Sequence, residues 1–354
     1  MPNRIYLDHA ATTPMTAAAR AAMTGAMAAW ANPSSPHAEG RATRRALEDA
    51  RGAIASAYGW RHETLLTSGA SESLGIALGR SMAERIVISA VEHDAVLRAA
   101  GPAPMLPVGA DGVIDLDALR EAVTPRTLVA VQWANSETGV RQPIAAVAEV
   151  VHERDGWMLV DAAQMPAGAD PDVARHADLV ALSAHKRGGP IGVGALLVRD
   201  LSVLLPTGGQ ERGYRPGTEN VPGVLGYAAA LAEPEDLARL STLRARLEEA
   251  IRGAGGVVAA EGARRHPAIG AYRMPGMAAA AQLIRFDLGG FAVSAGSACA
   301  SGSMRPSHVL AAMGWDEQAS REVVRVSFGR TTTEAEIHAF VAAWTAIARE
   351  RAAA

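Results

Sequence analysis

Short apolar runs set apart by longer amphipathic stretches constrain this chain more than any other feature of it. Five runs stand out: RIVISA at 85–90, LVAVQWA at 128–134, WMLV at 157–160, LVALS at 179–183 and GALLVR at 194–199. Each is short and predominantly apolar, so each reads as a buried strand. The stretches at 37–58, 71–82, 116–123 and, behind Pro143, 144–154 carry helical patterning instead. Strands that alternate with helices pair in parallel through crossover connections, which leads to a doubly wound α/β sheet with helices on its faces.

Beyond about residue 230 the pattern changes. A charged helix is expected over 234–252, stopped by Gly253 and the Gly255-Gly256 pair. Shorter strands are expected at 256–260, 282–287 and 323–327, and a last helix over 333–349 places Ile337, Phe340, Val341, Trp344 and Ile347 on one stripe. This reads as a second, smaller α+β domain with its boundary near residue 235. A chain of 354 residues has room for both.

Charge and hydropathy narrow the classes of partner. Thirty-four basic residues against 37 acidic ones give a net charge of −3, with no basic tract for nucleic acid. No apolar stretch approaches the ~20 residues of a membrane span, and the N-terminus has no signal-like apolar region. A soluble cytoplasmic protein is expected. One cysteine, Cys299, excludes an intrachain disulfide, a Cys-rich zinc cluster and a self-contained iron–sulfur site. Of the 34 basic residues only Lys186 is a lysine. Compositional bias accounts for the arginines and not for the exception: Arg replaces Lys in surface pairs, but it cannot lose a proton and attack a carbonyl.

In open α/β sheets ligands bind beyond the carboxyl ends of the strands. At those places stand Val91-Glu92-His93, Asn135-Ser136-Glu137, Asp161-Ala162-Ala163-Gln164 and Ala184-His185-Lys186. A single His or Asp at a strand end is ordinarily structural; four such ends converging with the sole lysine form a site. The chemistry that needs this set is pyridoxal 5'-phosphate catalysis, in which a lysine holds the cofactor aldehyde and a carboxylate partners the pyridinium nitrogen. Lys186 and Asp161 take those parts. His93 suits the ring face and proton movement, and Asn135 and Gln164 suit the ring's oxygen substituent.

The phosphate needs a cradle of its own. Thr67-Ser68-Gly69-Ala70-Ser71-Glu72-Ser73 sets a glycine turn before an apolar helix, so Ala70 and Ser71 lie at a helix N-terminus that suits an anion. The same residues also read as an ordinary capping box. Ser183, His185 and Thr218 are further donors. Cys299 lies in SAGSACASGS at 294–303, without one large apolar side chain, and reads as an exposed thiol on a mobile loop.

Taken in order, YLDHAATTP, NPSSPH, TSGASES, EHDAVL, NSETG, VDAAQ, SAHKRGGPIGVGAL, GGQERGYRPGTEN, SAGSACASGSMRPSHVL and VRVSFGRTTTEAEI span nearly the whole chain. This set resembles the NifS/IscS-like cysteine desulfurases, class V aminotransferase relatives of fold-type I. The resemblance implies a large cofactor domain over 14–235 with a mainly parallel seven-stranded sheet. It also implies a small domain of 1–13 and 236–354 that carries the Cys299 loop and Arg325. By the same resemblance Lys186 anchors pyridoxal 5'-phosphate, Asp161 pairs with its nitrogen, His93 stacks on it and Gln164 contacts its oxygen. Ala70, Ser71, Ser183 and His185 bind the phosphate, joined by Thr218 from the second subunit of a homodimer. Asn135 and Arg325 grip the α-carboxylate of L-cysteine. Cys299 becomes a persulfide and passes sulfur to an acceptor protein, an iron–sulfur scaffold or a thiolation protein.

Three features depart from the family pattern, one being a stretch between Ser73 and Arg85 that is shorter than usual. Gly75 stands where relatives carry Asn, and the chain ends soon after its last helix, which leaves the acceptor open. Selenocysteine lyase or another lyase of the class is the alternative activity, and a catalytically reduced scaffold in a sulfur-transfer complex is the alternative of another kind. An aminotransferase would leave Cys299 without a task.

Overall fold

The computed structural model describes residues 4–296 and 306–353. Seven strands build its main sheet: β1 (Glu63–Thr67), β2 (Arg85–Ser89), β3 (Met105–Leu106), β4 (Thr127–Gln132), β5 (Trp157–Asp161), β6 (Leu179–Ser183) and β7 (Gly194–Val198). In space they run β1-β7-β6-β5-β4-β2-β3. The pairs from β6 through to β3 are parallel, while β7 runs antiparallel to both its neighbours, β6 and β1. The central strands β4 and β6 are buried at every residue, which is why they read as unbroken apolar runs rather than alternating ones. The expected mainly parallel α/β sheet is present.

Both faces of the sheet are covered. One core packs Leu47, Ile54, Val129, Trp133 and Val160 against helices that include Ala38–Ala57 and Ile144–His152. The other packs Ile88, Leu128 and Leu179 of the sheet against Leu74 of the helix Ala70–Gly79. Caps fix where several helices start: Asp115 accepts the N–H groups of Asp117 and Ala118 ahead of Leu116–Ala122, and Asp236 accepts that of Arg239 ahead of Leu237–Gly253.

A further core joins Leu7 to Leu240, Leu243, Leu247, Phe286, Phe340 and Trp344. It backs a three-stranded antiparallel sheet in the order Val323–Ser327, Ile269–Arg273, Val257–Val258. Ile337, Phe340, Trp344 and Ile347 of the last helix are all buried, as their spacing requires. The segment 282–287, expected as a strand, lies instead inside the helix Ala279–Leu288. Ala279, Gln282 and Phe286 form its buried stripe at helical spacing. The Nε2 of the buried Gln282 donates to the Met277 and Glu322 carbonyls at 2.7 Å each, while its Oε1 is buried without a partner among the described residues. Among the described residues no helix is long and apolar enough to cross a membrane.

Candidate active site

Four neighbouring parallel strands, β2, β4, β5 and β6, end at one crevice, and the residues at those ends line a cavity of about 440 Å³. β2 leads to Glu92 and His93, β4 to Asn135, β5 to Asp161 and Gln164, and β6 to Ser183, His185 and Lys186; every one of them lines the cavity. The helix N-terminus at Ala70 and Ser71 forms another wall, and Arg325, on the Val323–Ser327 strand, a third.

Asp161 ends β5 in register with Gln132 of β4 and Ala181 of β6. Its Oδ1 accepts the Ala163 N–H at 3.0 Å. Glu92, fully buried, accepts the Gln132 N–H through Oε1 at 2.8 Å, and its Oε2 has no hydrogen-bond partner among the described residues. Burial, and after it the charge of Asp161, push the Glu92 carboxyl well above the usual carboxylate range. Of the two carboxyls at this wall, Glu92 is thus the one that resists ionisation.

The histidines are held neutral in the same way. Burial and then the Lys186 charge push His93 down, and His93 Nδ1 accepts the Ala95 N–H at 3.1 Å as the cap of helix Asp94–Ala100. With Nδ1 accepting, the neutral ring carries its proton on Nε2. Burial, then Lys186 and Arg187, take His185 down to about 4; its Nδ1 lies 3.1 Å from Thr12 Oγ1.

Gln164 donates from Nε2 to the Ala10 carbonyl at 2.9 Å, while its Oε1 is buried without a partner among the described residues. Its backbone carbonyl is 3.1 Å from Nε2 of His266, whose Nδ1 accepts the Ala268 N–H, so that ring donates to Gln164. Asn135 is engaged in its own turn. Its Nδ2 donates to the Val91 carbonyl at 3.1 Å, and its Oδ1 accepts the N–H groups of Glu137 and Thr138 at 2.9 Å each. Arg325, 5% exposed, donates to Asp8 Oδ1 at 2.7 Å and to the Ser136 carbonyl at 3.0 Å, and its Nε is buried without a partner among the described residues.

The anion cradle is a backbone device. Gly69 precedes the helix Ala70–Gly79 at φ 149°, in the region that favours glycine, and no side chain caps that end. Its first-turn amides are left to whatever occupies the cavity. The turn packs so tightly on β7 that a Cβ at Gly194 would sit 2.6 Å from the Gly69 Cα. Thr218 is exposed and is not part of this chain's own cavity wall. Cys299 lies outside the described residues; Gly296 before it and His308 after it both line the cavity.

The sequence reading assigned no role to Glu92, Asp8 or His308, whose Nε2 donates to the Glu92 carbonyl across 2.9 Å. Asp8 and Glu92 lie inside the YLDHAATTP and EHDAVL motifs, so position was the only signal available. An amine, a carboxylate beside an acid that resists ionisation, an imidazole, a buried amide oxygen unpartnered among the described residues and an uncapped helix start fit pyridoxal 5'-phosphate in donor type and charge.

The chain matches the family "Aminotransferase class-V" over residues 5–340. It is 39% identical to a cysteine desulfurase of Cereibacter sphaeroides, covering 94% of this chain and 93% of that one. It is likewise 39% identical to an IscS-like cysteine desulfurase of Mycobacterium tuberculosis, over 99% of this chain and 98% of the other. Among solved structures it superposes on a NifS-like protein from Rickettsia africae with a TM-score of 0.89 at 30% identity, covering 97% and 99% of the two chains. The structure described as SspA in complex with cysteine gives a TM-score of 0.80 at 30% identity, covering 93% of this chain and all of that one.

Proposed function

The chain belongs to the class-V aminotransferase family, and from that premise we propose that it is a pyridoxal 5'-phosphate-dependent L-cysteine desulfurase. The observation that carries this reading is the convergence of the sole lysine, Lys186, with Asp161 and His93 on one cavity. The sole cysteine follows Gly296 of the cavity wall by three residues, a reach of at most about 11 Å.

The bound cofactor supplies an electrophilic aldehyde and a conjugated ring that takes up an electron pair from the substrate's carbon. Lys186 Nζ is its covalent anchor and holds or delivers a proton at the substrate's Cα. Asp161 would keep the ring nitrogen charged, and the raised Glu92 carboxyl resists becoming a second negative charge beside it. His93 covers the ring with Nε2 protonated, and the Gln164 side chain, oriented by Ala10, meets the ring's oxygen. Ala70, Ser71, Ser183 and His185 hold the phosphate. Arg325 grips the α-carboxylate; Asn135 shapes the adjoining turn and approaches the same group. Cys299 thiolate attacks the substrate's sulfur, so that an S–S bond forms as the C–S bond breaks, leaving alanine and a persulfide for a sulfur-acceptor protein.

Thr218, exposed on its loop, is supplied to the phosphate of a second copy, which makes the enzyme a homodimer. The division into 14–235 and 1–13 with 236–354 belongs to the same reading, since Leu7 packs with the later core. The enzyme works in the cytoplasm. Mass spectrometry of the loaded protein after addition of cysteine tests the proposal: one added sulfur on the Cys299 peptide with stoichiometric alanine is the expected result. Alanine without added sulfur refutes it.

A further inference from the structure

The loop that bears Thr218 is fastened to the anion cradle itself. Helix Ala70–Gly79 has one acidic residue in its first turn, Glu72, and it lines the cavity. Glu72 Oε2 accepts the Ser68 N–H at 2.5 Å, and both carboxylate oxygens lie 3.1 Å from Arg215 Nε. The Arg215 and Glu72 side chains are only 20% and 30% exposed, so solvent screens the pair incompletely. Burial alone would raise the Glu72 carboxyl; the Ser68 N–H and Arg215 outweigh it and hold Glu72 below its ordinary value, charged at neutral pH. At the far end of the helix Arg80 donates to the Tyr214 carbonyl and to Thr207 Oγ1, at 2.9 Å each. A third tie is the buried Glu211, which accepts the Leu66 N–H at 2.8 Å and pairs with Arg51. Beyond these anchors Pro216, Gly217 and Thr218 stand exposed.

A carboxylate in the first turn stabilises its own helix through the macrodipole. The same charge opposes a second anion at that N-terminus, and a phosphate monoester brings about −1.5 to −2. Left uncompensated, Glu72 would work against the cradle it helps to build.

We infer that Arg215 is a positioning residue for cofactor binding: by pairing with Glu72 it cancels the acidic charge in the first turn, so that the helix start accepts a phosphate, and the same contact sets the Thr218 loop against the cradle. This rests on the pyridoxal phosphate reading above. One residue thus links the chain's own phosphate site to the loop it lends to a second copy.

The test compares pyridoxal 5'-phosphate with pyridoxal, which lacks the phosphate, on the full chain stripped of cofactor. Arg215→Gln should weaken pyridoxal 5'-phosphate binding by about tenfold or more, from the Coulomb repulsion of a partly screened carboxylate, and leave pyridoxal binding within about threefold. The double variant Glu72→Gln with Arg215→Gln should recover to within about threefold of the parent, because it removes the offending charge along with its partner. Equal losses for both ligands would mark a merely structural contact and overturn the inference. So would an indifferent Arg215→Gln, or a double variant no better than the single one. A parent chain that takes up no pyridoxal 5'-phosphate would instead overturn the cofactor reading itself.

Discussion

Replacing Arg325 by alanine puts the substrate-binding wall to a quantitative test. A guanidinium offers five N–H donors. Here one bonds Asp8 and one the Ser136 carbonyl, while Nε, on the same cavity-lining side chain, is buried without a partner among the described residues. Two of the three remaining donors suffice for a bidentate grip on an α-carboxylate. Each charge-assisted bond contributes about 1.5–3 kcal/mol, so losing two costs about 3–6 kcal/mol, or about 10²–10⁴ in kcat/KM. The Asp8 carboxylate, left unpaired at the same wall, adds repulsion to that loss. The α-carboxylate keeps its charge throughout the reaction, so the grip is common to ground and transition states and the loss should fall on KM. The assay is alanine formation against cysteine concentration, with cofactor absorbance as the control. Full cofactor loading with an unchanged KM, or a loss confined to kcat, would refute the assignment. Arg325→Lys, which keeps the charge but not the planar fork, should recover only part of the affinity. Breaking a buried pair also destabilises the fold by about 3–5 kcal/mol, so the comparison belongs well below the melting temperature.

Three further outcomes are expected. Lys186→Ala should lose the yellow colour of the bound cofactor, and borohydride should fix no adduct on the protein; a persistent covalent adduct would remove Lys186 from the reading. Cys299→Ser should keep its colour but neither gain sulfur nor release alanine at more than background rate, and unchanged turnover would contradict the role given to Cys299. Glu92→Gln should grow more stable relative to the parent as pH rises. The folded chain holds the Glu92 proton while the unfolded chain releases it above the ordinary carboxylate value of 4.5, so parent stability carries a penalty that increases with pH up to the folded pKa. The difference in urea-unfolding free energy should change by about 1.4 kcal/mol per pH unit between pH 5.5 and 6.5; a flat difference would mean that Glu92 is ionised in the fold.

The order of the motifs and the alternation of apolar runs settle a great deal without coordinates. LVALS at 179–183 becomes a strand with those same bounds, and the polar residues written after four runs meet on one cavity. This much is legible because a fully buried parallel strand must be apolar throughout and its ligand-binding residues must follow its end. Lys186 identified itself by being the one lysine. Sequence pattern failed where burial is decided by partners far along the chain. Residues 282–287 became helix because Phe286 packs on Phe340 and Trp344 of the last helix, contacts that local periodicity does not encode.

Charge states belong to the same class. That the Glu92 carboxyl is pushed up beside Asp161, that Asp8 already occupies part of Arg325, and that Arg215 pairs with Glu72 across 143 residues of chain are consequences of distance and exclusion from water. The residue types fixed which chemistry was possible. Tertiary packing alone decided which of those groups carry a charge and which partners they face, because the energy of a charge depends on its surroundings and not on its neighbours in sequence.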